Sequence, residues 1–478
     1  MKALLKEIIQ SEMILFTIAR YTIYFLLFIR GILLANYLGV ASFGVYSMII
    51  LIGQYISLSS GGIQFAITVL LSKNKVHTSK IDRENLISTA VNLSILIAIF
   101  VIFPLVVVVW HYEFFQASVN EYLLFAALIG ALGLVQQVWL NVFRVYHQMK
   151  HIIISELAVA VFLIAVIFFA NKDNLVVYML TAVLFASIGS VLFFFNRRQF
   201  EYSFVLSIKK AVHLFKTGLP LLFLNVGLMI ITMFPQFMVG YSYGDEAMGI
   251  YSFGVMVSVA VFLAFNTIIW YLFPSLIAKL TDMNSKDKYV FVKEWSIILV
   301  CLLISLSFIL MALSSIVFIV MPEYYNSYSV FNIIIISNIF LLSGFLFNSL
   351  IISEGRQTTL SLFVIIIALF VIFSSYLLAA TGLDYIYLSF VTLIFSVIYF
   401  LVNVIFGWHI ELSEYNLYKM RIFPMKYLVP IFLILVFSFL SFPVYGVLSG
   451  LISLLLLGKN EIINALTLLN RKYHLLKN

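Results

Sequence analysis

Long runs of apolar residues, separated by short polar stretches, recur along the whole chain. An α-helix needs about 20 consecutive apolar residues to cross a bilayer, since each residue adds about 1.5 Å of rise. Fourteen segments reach or approach that length, near residues 12–34, 43–71, 87–110, 122–143, 152–170, 175–195, 218–240, 249–277, 295–321, 330–353, 360–380, 386–407, 428–442 and 443–458. The pattern therefore predicts an all-α, polytopic membrane protein with about fourteen transmembrane helices.

The last two apolar segments are the shortest, and they meet at Phe442-Pro443. A proline inside a helix removes a backbone hydrogen bond and kinks or breaks the helix. The sequence leaves two arrangements open here. The segments are either two short tilted spans or one long span broken at Pro443.

Composition agrees with a membrane protein. The chain is 64% hydrophobic and 10% charged, whereas soluble domains are roughly 25% charged. The positions of the Lys and Arg residues predict how the protein is oriented in the membrane, because these residues accumulate in cytoplasmic loops. With the N-terminus inside, 25 of the 28 basic residues fall on the cytoplasmic side, and Arg20 and Arg30 fall within the first span. We therefore expect both termini in the cytoplasm. Because topology explains the net charge of +8, we expect no nucleic-acid partner.

A nine-residue pattern, Gly-x4-Gly-x-Tyr-Ser, occurs twice, each time between the first and second spans of a half of the chain. Internal repeats of several helices are typical of transporters with two lobes around a central pathway. We expect Gly39 and Gly244 to end helices in conformations that bulkier residues resist, so the motif is mainly structural. The matched residues are Gly39, Gly44, Tyr46 and Ser47 in the first copy and Gly244, Gly249, Tyr251 and Ser252 in the second.

The repeat predicts two pseudo-symmetric six-helix lobes, at residues 1–203 and 204–407, followed by a C-terminal helix pair and cytoplasmic tail at 408–478. The longest connector, 196–217, separates the lobes. Phe204, Ile208 and Phe215 share one helical face there, opposite several lysines, which predicts an amphipathic linker helix leading the second lobe. A non-helical basic connector, whose lysines only keep this segment on the cytoplasmic side, explains the same residues equally well.

Polar residues inside the spans are candidates for a substrate cavity, because intramembrane charge is costly and usually faces one. Arg20 and Tyr24 share a face of the first span, and Arg30 lies nearer its outer end, where it could simply reach the headgroups. Further polar residues are candidates for the cavity, but their spacing is equally typical of hydrogen bonds between helices. They are Gln137, Asn141 and Arg144 on the fourth span, and Asn225 and Gln236 on the seventh.

Several motifs resemble those of a known family. Leu33-Leu34-Ala35-Asn36-Tyr37-Leu38-Gly39 followed by Phe43-Gly44-Val45-Tyr46-Ser47 resembles the N-terminal signature of polysaccharide or O-antigen flippases (Wzx-type) of the multidrug/oligosaccharidyl-lipid/polysaccharide (MOP) superfamily. The second half is similar in order and spacing, at Gly218-Leu219-Pro220, Gly249-Ile250-Tyr251-Ser252, Pro322-Glu323-Tyr324 and Glu354-Gly355-Arg356. The chain departs from the family's usual residues at Asn36, where many relatives have Arg, and at Pro235-Gln236, where many have an Asp followed by a basic residue.

The resemblance implies a fold like that of the multidrug and toxic-compound extrusion (MATE) transporters. It also implies a flippase in the bacterial cytoplasmic (inner) membrane that moves an undecaprenyl-diphosphate-linked oligosaccharide from the inner to the outer leaflet by alternating access. Its partners would be this lipid-linked substrate, membrane lipids, and a polysaccharide polymerase with chain-length proteins.

Two alternatives remain: a cation-coupled multidrug exporter of the same superfamily and, less favoured, a membrane-embedded oligosaccharide polymerase or ligase. The exporter is expected to carry a buried carboxylate, but every Asp and Glu lies in a loop or near a span end. The polymerase is expected to carry a sizeable outer loop, and the outer loops here are short. No Walker A motif and no metal-ligand spacing of histidines are present, so we expect no enzyme activity, no metal and no cofactor.

Overall fold

The structure is a computed structural model that describes residues 12–74, 80–111, 115–171, 174–198, 200–411, 428–439 and 443–457, together with residues 463 and 467. Within these residues the chain forms α-helices and short 3-10 segments, with no β-strand. The prediction of an all-α fold is confirmed.

The first half of the described chain contains seven helices. They are α1 (Glu12–Ser57), α2 (Ile63–Asn74), α3 (Lys80–His111), the four-residue α4 (Ala117–Asn120), α5 (Leu123–Val145), α6 (Met149–Phe169) and α7 (Leu175–Asn196). The remaining helices are α8 (Ile208–Ser242), α9 (Asp245–Asp282), α10 (Ser285–Val320), α11 (Ser327–Ser343), α12 (Phe345–Ser353), α13 (Gln357–Ala380), α14 (Tyr387–Glu411), α15 (Leu428–Phe439) and α16 (Pro443–Leu457).

Membrane-spanning length is reached repeatedly. Within the described residues, ten helices are long and apolar enough to cross a membrane, and two shorter apolar helices occur at Leu428–Phe439 and Val444–Leu454. The multi-pass prediction is confirmed, and the count of fourteen is approximate. One reason is that α1 covers the first predicted span and part of the second, since the chain stays helical on both sides of Gly39.

Gly39 kinks α1. Its φ of 71° and ψ of 173° are not helical, and this left-handed φ favours glycine because a Cβ would crowd the backbone. Gly244 has a φ of 90° immediately before α9 begins at Asp245. Both copies of the repeat therefore start with a glycine at positive φ.

The chain divides into two compact units. The first comprises the described residues up to Met229 together with Phe237–Gly249, and the second comprises Ile230–Gln236 and the described residues from Ile250 onward. The predicted lobes at 1–203 and 204–407 stay a prediction, because they are defined by a superposition of the two halves.

Each unit has its own apolar core. In the first unit, Trp139 and Phe143 of α5 are buried against α2, α3 and α7. In the second unit, α11 is the central helix, and nearly all its residues are buried. Ser337 and Ser343 remain satisfied inside that core because they donate to carbonyls one turn earlier, those of Ile333 and Ile339, and Ser329 donates to the carbonyl of Ser438.

The connector before α8 differs from the predicted linker helix. Residues 200–207 are not helical, and α8 begins at Ile208 and continues without a break into the seventh span. Ser88 and Asn92 of helix α3, one helical turn apart, hydrogen-bond to the backbone of this extended segment. Ser88 accepts from the amide of Ser203, and Asn92 Nδ2 donates to the carbonyls of Ser203 and Val205 at 3.1 and 3.2 Å. Phe204 is 90% exposed.

The last two apolar segments form two helices. A Cβ on Gly446 of α16 would contact Phe437 and Ile434 of α15, and one on Gly450 would contact Ile434. The two helices therefore pack along each other as an antiparallel hairpin, which excludes one broken span. Residues 412–427, 440–442 and most of the predicted tail lie outside the described residues.

Candidate functional site

Helix α1 places Arg20 and Tyr24 one turn apart on the same face. Nη1 of Arg20 donates to the hydroxyl of Tyr24 at 2.8 Å. The guanidinium carbon lies 5.6 Å from the centroid of the Tyr24 ring, a distance at which a cation and an aromatic face attract each other. The pair predicted from helical spacing is therefore a direct contact.

Arg20 also forms an ion pair with Glu156 of α6. Nη1 of Arg20 lies 3.1 Å from Oε2 of Glu156, and the two side chains are 14% and 22% exposed. Glu156 lies two turns into α6, inside a helix apolar enough to span a membrane. This partner was not predicted. A glutamate near the start of the apolar run 152–170 was the signal that could have revealed it.

Arg144 lies at the end of α5, near enough to Arg20 for the two positive charges to repel. The turn that follows places α6 beside them. His147 in this turn has a positive φ of 56°, and the amide of Gln148 donates to the carbonyl of Phe143, which ends α5 before α6 starts at Met149. We call Arg20, Tyr24, Arg144 and Glu156 the arginine cluster.

Helix α5 also carries the two other predicted residues of the fourth span, Gln137 and Asn141. Asn141 Nδ2 donates to the carbonyl of Gln137, and Asn141 Oδ1 accepts from Thr68 of α2 at 3.1 Å. Gln137 is exposed on the surface of the protein. Asn141 thus has the interhelical role that its spacing left open, and Gln137 is accessible for contact.

The other three predicted residues are Arg30, Asn225 and Gln236. Arg30 is half-buried on α1, almost three turns beyond Arg20, and its Nε has no hydrogen-bond partner among the described residues. Asn225 donates to the carbonyl of Leu221 on its own helix. Gln236, in the second unit, is buried and donates to Ser252 at 3.0 Å, so it supports the repeat motif.

The two repeat motifs contact each other directly. A Cβ on Gly44 would lie 1.9 Å from the carbonyl oxygen of Asp245, and a Cβ on Gly249 would lie 2.0 Å from that of Val40. Val40 and Asp245 are equivalent positions of the repeat, as are Gly44 and Gly249, so the crossing is reciprocal. Both turns therefore lie at the same end of the helices. Tyr46 and Tyr251 are both buried.

The arginine cluster contains two guanidinium groups, at Arg20 and Arg144, and such groups are suited to binding anions. A guanidinium keeps its charge and offers five N–H donors in a planar fork that matches phosphate oxygens. The described residues contain no group of three or more His, Cys, Asp or Glu side chains that could hold a metal ion. A separate cavity of about 180 Å³ at the same end of the first unit is lined by Lys80, Arg83 and Glu84, among others.

Comparison with known proteins supplies the family. The family described as "Polysaccharide biosynthesis protein" matches residues 10–280. No curated protein sequence matches this chain.

Solved structures share the fold. The lipid II flippase MurJ in an inward closed conformation has a TM-score of 0.65 at 16% identity, covering 96% of this chain and 99% of its own. An inward-facing multidrug resistance MATE family transporter of the MOP superfamily has a TM-score of 0.64 at 12% identity, covering 85% and 99%. An outward-facing MATE transporter has a TM-score of 0.57 at 11% identity, covering 85% and 96%.

Proposed function

Because this chain belongs to the polysaccharide biosynthesis protein family, we propose that it moves an undecaprenyl-diphosphate-linked oligosaccharide across the cytoplasmic membrane, from the inner to the outer leaflet. It is a multi-pass membrane protein with the fold of MOP-superfamily transporters. The proposed mechanism is alternating access of two lobes, without catalysis by the chain.

The observation that carries the proposal is the arginine cluster. A lipid-linked sugar combines a bulky polar headgroup, a diphosphate and a very long lipid, and its charge resides in the diphosphate. Two arginines on neighbouring membrane helices give that group a cationic site at the end of the helices where the basic connectors lie. An intramembrane arginine costs about 2.5–3.5 kcal/mol on insertion scales, so its retention is typical of a functional site.

The positive-inside pattern supports a position of the arginine cluster toward the cytoplasm, where the substrate would enter. In this proposal the protein lies in a bacterial inner membrane with both termini inside. Membrane lipids and the enzymes that extend the sugar chain, a polymerase and chain-length proteins, are its expected partners.

One observation bears on the alternative of a cation-coupled exporter. Glu156 is a carboxylate within a candidate span, as such an exporter requires. Its charge is opposed by Arg20 at 3.1 Å, however, and a carboxylate that pairs with an arginine is poorly suited to hold a cation. The arrangement therefore favours an anionic substrate.

The test is substitution of Arg20. We expect Arg20→Ala to abolish export of the cell's polysaccharide while the protein reaches the membrane in normal amount. Arg20→Lys should retain part of the activity, because the charge survives and the two-pronged geometry does not. Leu27→Ala on the same helix is the control and should leave export nearly unchanged.

Export is measured by surface labelling of the polysaccharide, with membrane content followed by immunoblot. Normal export by a normally expressed Arg20→Ala variant would show that the arginine is structural, and the cationic site would lose its central residue.

A further inference from the structure

The ion pair between Arg20 and Glu156 balances the positive charge of Arg20 from within the protein. A single nitrogen, Nη1 of Arg20, reaches both Oε2 of Glu156 at 3.1 Å and the hydroxyl of Tyr24 at 2.8 Å. A partly buried guanidinium without an anion nearby would carry a large desolvation cost. Glu156 supplies that anion from a different helix.

We infer that Glu156 is the internal counter-ion that an anionic headgroup displaces from Arg20, and that it thereby sets the selectivity of the arginine cluster for diphosphates. This inference rests on the proposed function, because it concerns the same site. Glu156 acts through Arg20, so it is a positioning residue.

Competition explains the selectivity. A headgroup without charge offers Arg20 only neutral acceptors, which attract a guanidinium more weakly than the carboxylate of the ion pair that they would replace. A diphosphate carries more negative charge and more oxygens than one carboxylate. It also adds negative charge beside Arg144, whose positive charge repels that of Arg20. Only a strongly anionic headgroup therefore gains by replacing Glu156.

The same competition favours release. Once the substrate has crossed, Glu156 can return to Arg20 and lower the cost of losing the diphosphate. Removing the carboxylate's charge should consequently tighten binding and slow turnover. A residue that merely stabilised the helices would not produce this combination.

The experiment measures binding of inorganic pyrophosphate to the purified full-length protein in nanodiscs by titration calorimetry. Farnesyl diphosphate and farnesol serve as charged and neutral prenyl probes. We expect Glu156→Gln to bind pyrophosphate and farnesyl diphosphate roughly tenfold more tightly than the wild type, because the competing carboxylate charge is gone; tenfold corresponds to about 1.4 kcal/mol. Farnesol binding should not change. Polysaccharide export by the same variant should fall.

Asp82→Asn is the matched control. It removes a negative charge at the same end of the first unit, where the 63% exposed Asp82 side chain lies 3.4 Å from Nζ of Lys210. Pyrophosphate affinity should stay at the wild-type value. Glu156→Asp retracts the carboxylate by one methylene and should increase affinity less than Glu156→Gln does. This variant alone decides the question if Glu156→Gln does not accumulate.

The double variant Arg20→Ala/Glu156→Gln should bind pyrophosphate as weakly as Arg20→Ala, because Glu156 acts through Arg20. Wild-type affinity in both Glu156 variants, or an equal gain in Asp82→Asn, would overturn the inference. If Arg20→Ala abolishes export while the Glu156 variants bind like the wild type, the inference fails and the proposed function stands. Normal export by Arg20→Ala would remove the proposed function itself.

Discussion

Gly44 and Gly249 face each other across a helix crossing in which each packs against the backbone of the other's segment. A Cβ on Gly44 would lie 2.8 Å from the amide nitrogen of Gly249, in addition to its overlap with the carbonyl of Asp245. A side-chain hydrogen bond also holds the Asp245 segment, because the hydroxyl of Ser118 on α4 donates to Oδ2 of Asp245 at 2.5 Å. Small residues let membrane helices approach closely, and backbone contacts of this kind can then form. The second glycine of each repeat therefore allows the close approach of the two helices, and the first adopts the positive φ of the turn.

Substitution at this crossing should destabilise the protein. Gly44→Ala and Gly249→Ala each place a methyl group against backbone, and overpacking of this kind costs about 1–3 kcal/mol. We expect a lower melting temperature in detergent by thermal-shift assay. The double variant should lose less than the sum of the two, because either methyl group already forces the crossing apart.

Gly189→Ala on α7 is the control for the crossing. A Cβ there meets no atom within 4 Å, and alanine favours the helix more than glycine does. Its melting temperature should equal or exceed that of the wild type. Wild-type stability in both Gly44→Ala and Gly249→Ala would contradict the close approach.

In the second unit, the stability of the protein should depend strongly on the ion pair between Lys288, at the start of α10, and Glu354. Nζ of Lys288 lies 2.5 Å from Oε1 of Glu354, and the lysine side chain is 7% exposed. Removing one partner of a buried ion pair costs about 3–5 kcal/mol, because the other charge stays buried. We expect Glu354→Leu to lower the melting temperature markedly. Lys288→Met combined with Glu354→Leu should recover much of that loss, whereas an additive loss would contradict a direct pair.

The extended connector should loosen when Asn92 is removed. Asn92→Ala takes away the two bonds to the carbonyls of Ser203 and Val205 and the bond that Asn92 accepts from the Tyr202 hydroxyl, and each such hydrogen bond contributes about 0.5–1.5 kcal/mol. We expect faster hydrogen exchange in residues 200–207. Ser94→Ala on the same helix is the control, since the Ser94 hydroxyl donates within its own helix, to the carbonyl of Val91. Equal exchange in the two variants would argue against the Asn92 bonds.

Cysteine labelling tests the orientation. In a Cys301→Ser background, a cysteine at Asn326 should react with an impermeant thiol reagent in intact cells. One at the exposed Lys286 should resist it, because basic connectors face the cytoplasm. Permeabilised cells are the control, and both positions should then react. Labelling of Lys286→Cys in intact cells would reverse the assigned topology.

The arginine cluster shows where sequence reasoning succeeds and where it stops. Arg20 and Tyr24 could be paired from their spacing alone, because residues four apart in a helix are neighbours. Glu156 could not be assigned to Arg20, since they lie on different helices and their meeting depends on how α6 packs against α1. Gln236 was predicted for the cavity from its helical face. Its bond to Ser252 became visible only in the packed second unit.

The sequence by itself determined the all-α, multi-pass character, the positive-φ glycines of the repeat and the cationic residues of the first span. These are local properties: apolar length decides whether a segment can span a membrane, and a missing Cβ decides which residue tolerates a left-handed turn. Only the tertiary structure decided that the repeats cross at Gly44 and Gly249, that the connector is extended along α3, and that Glu156 balances Arg20. Each of these contacts joins segments far apart in the chain, and one helical pattern is compatible with many packings until side-chain shape and charge select one.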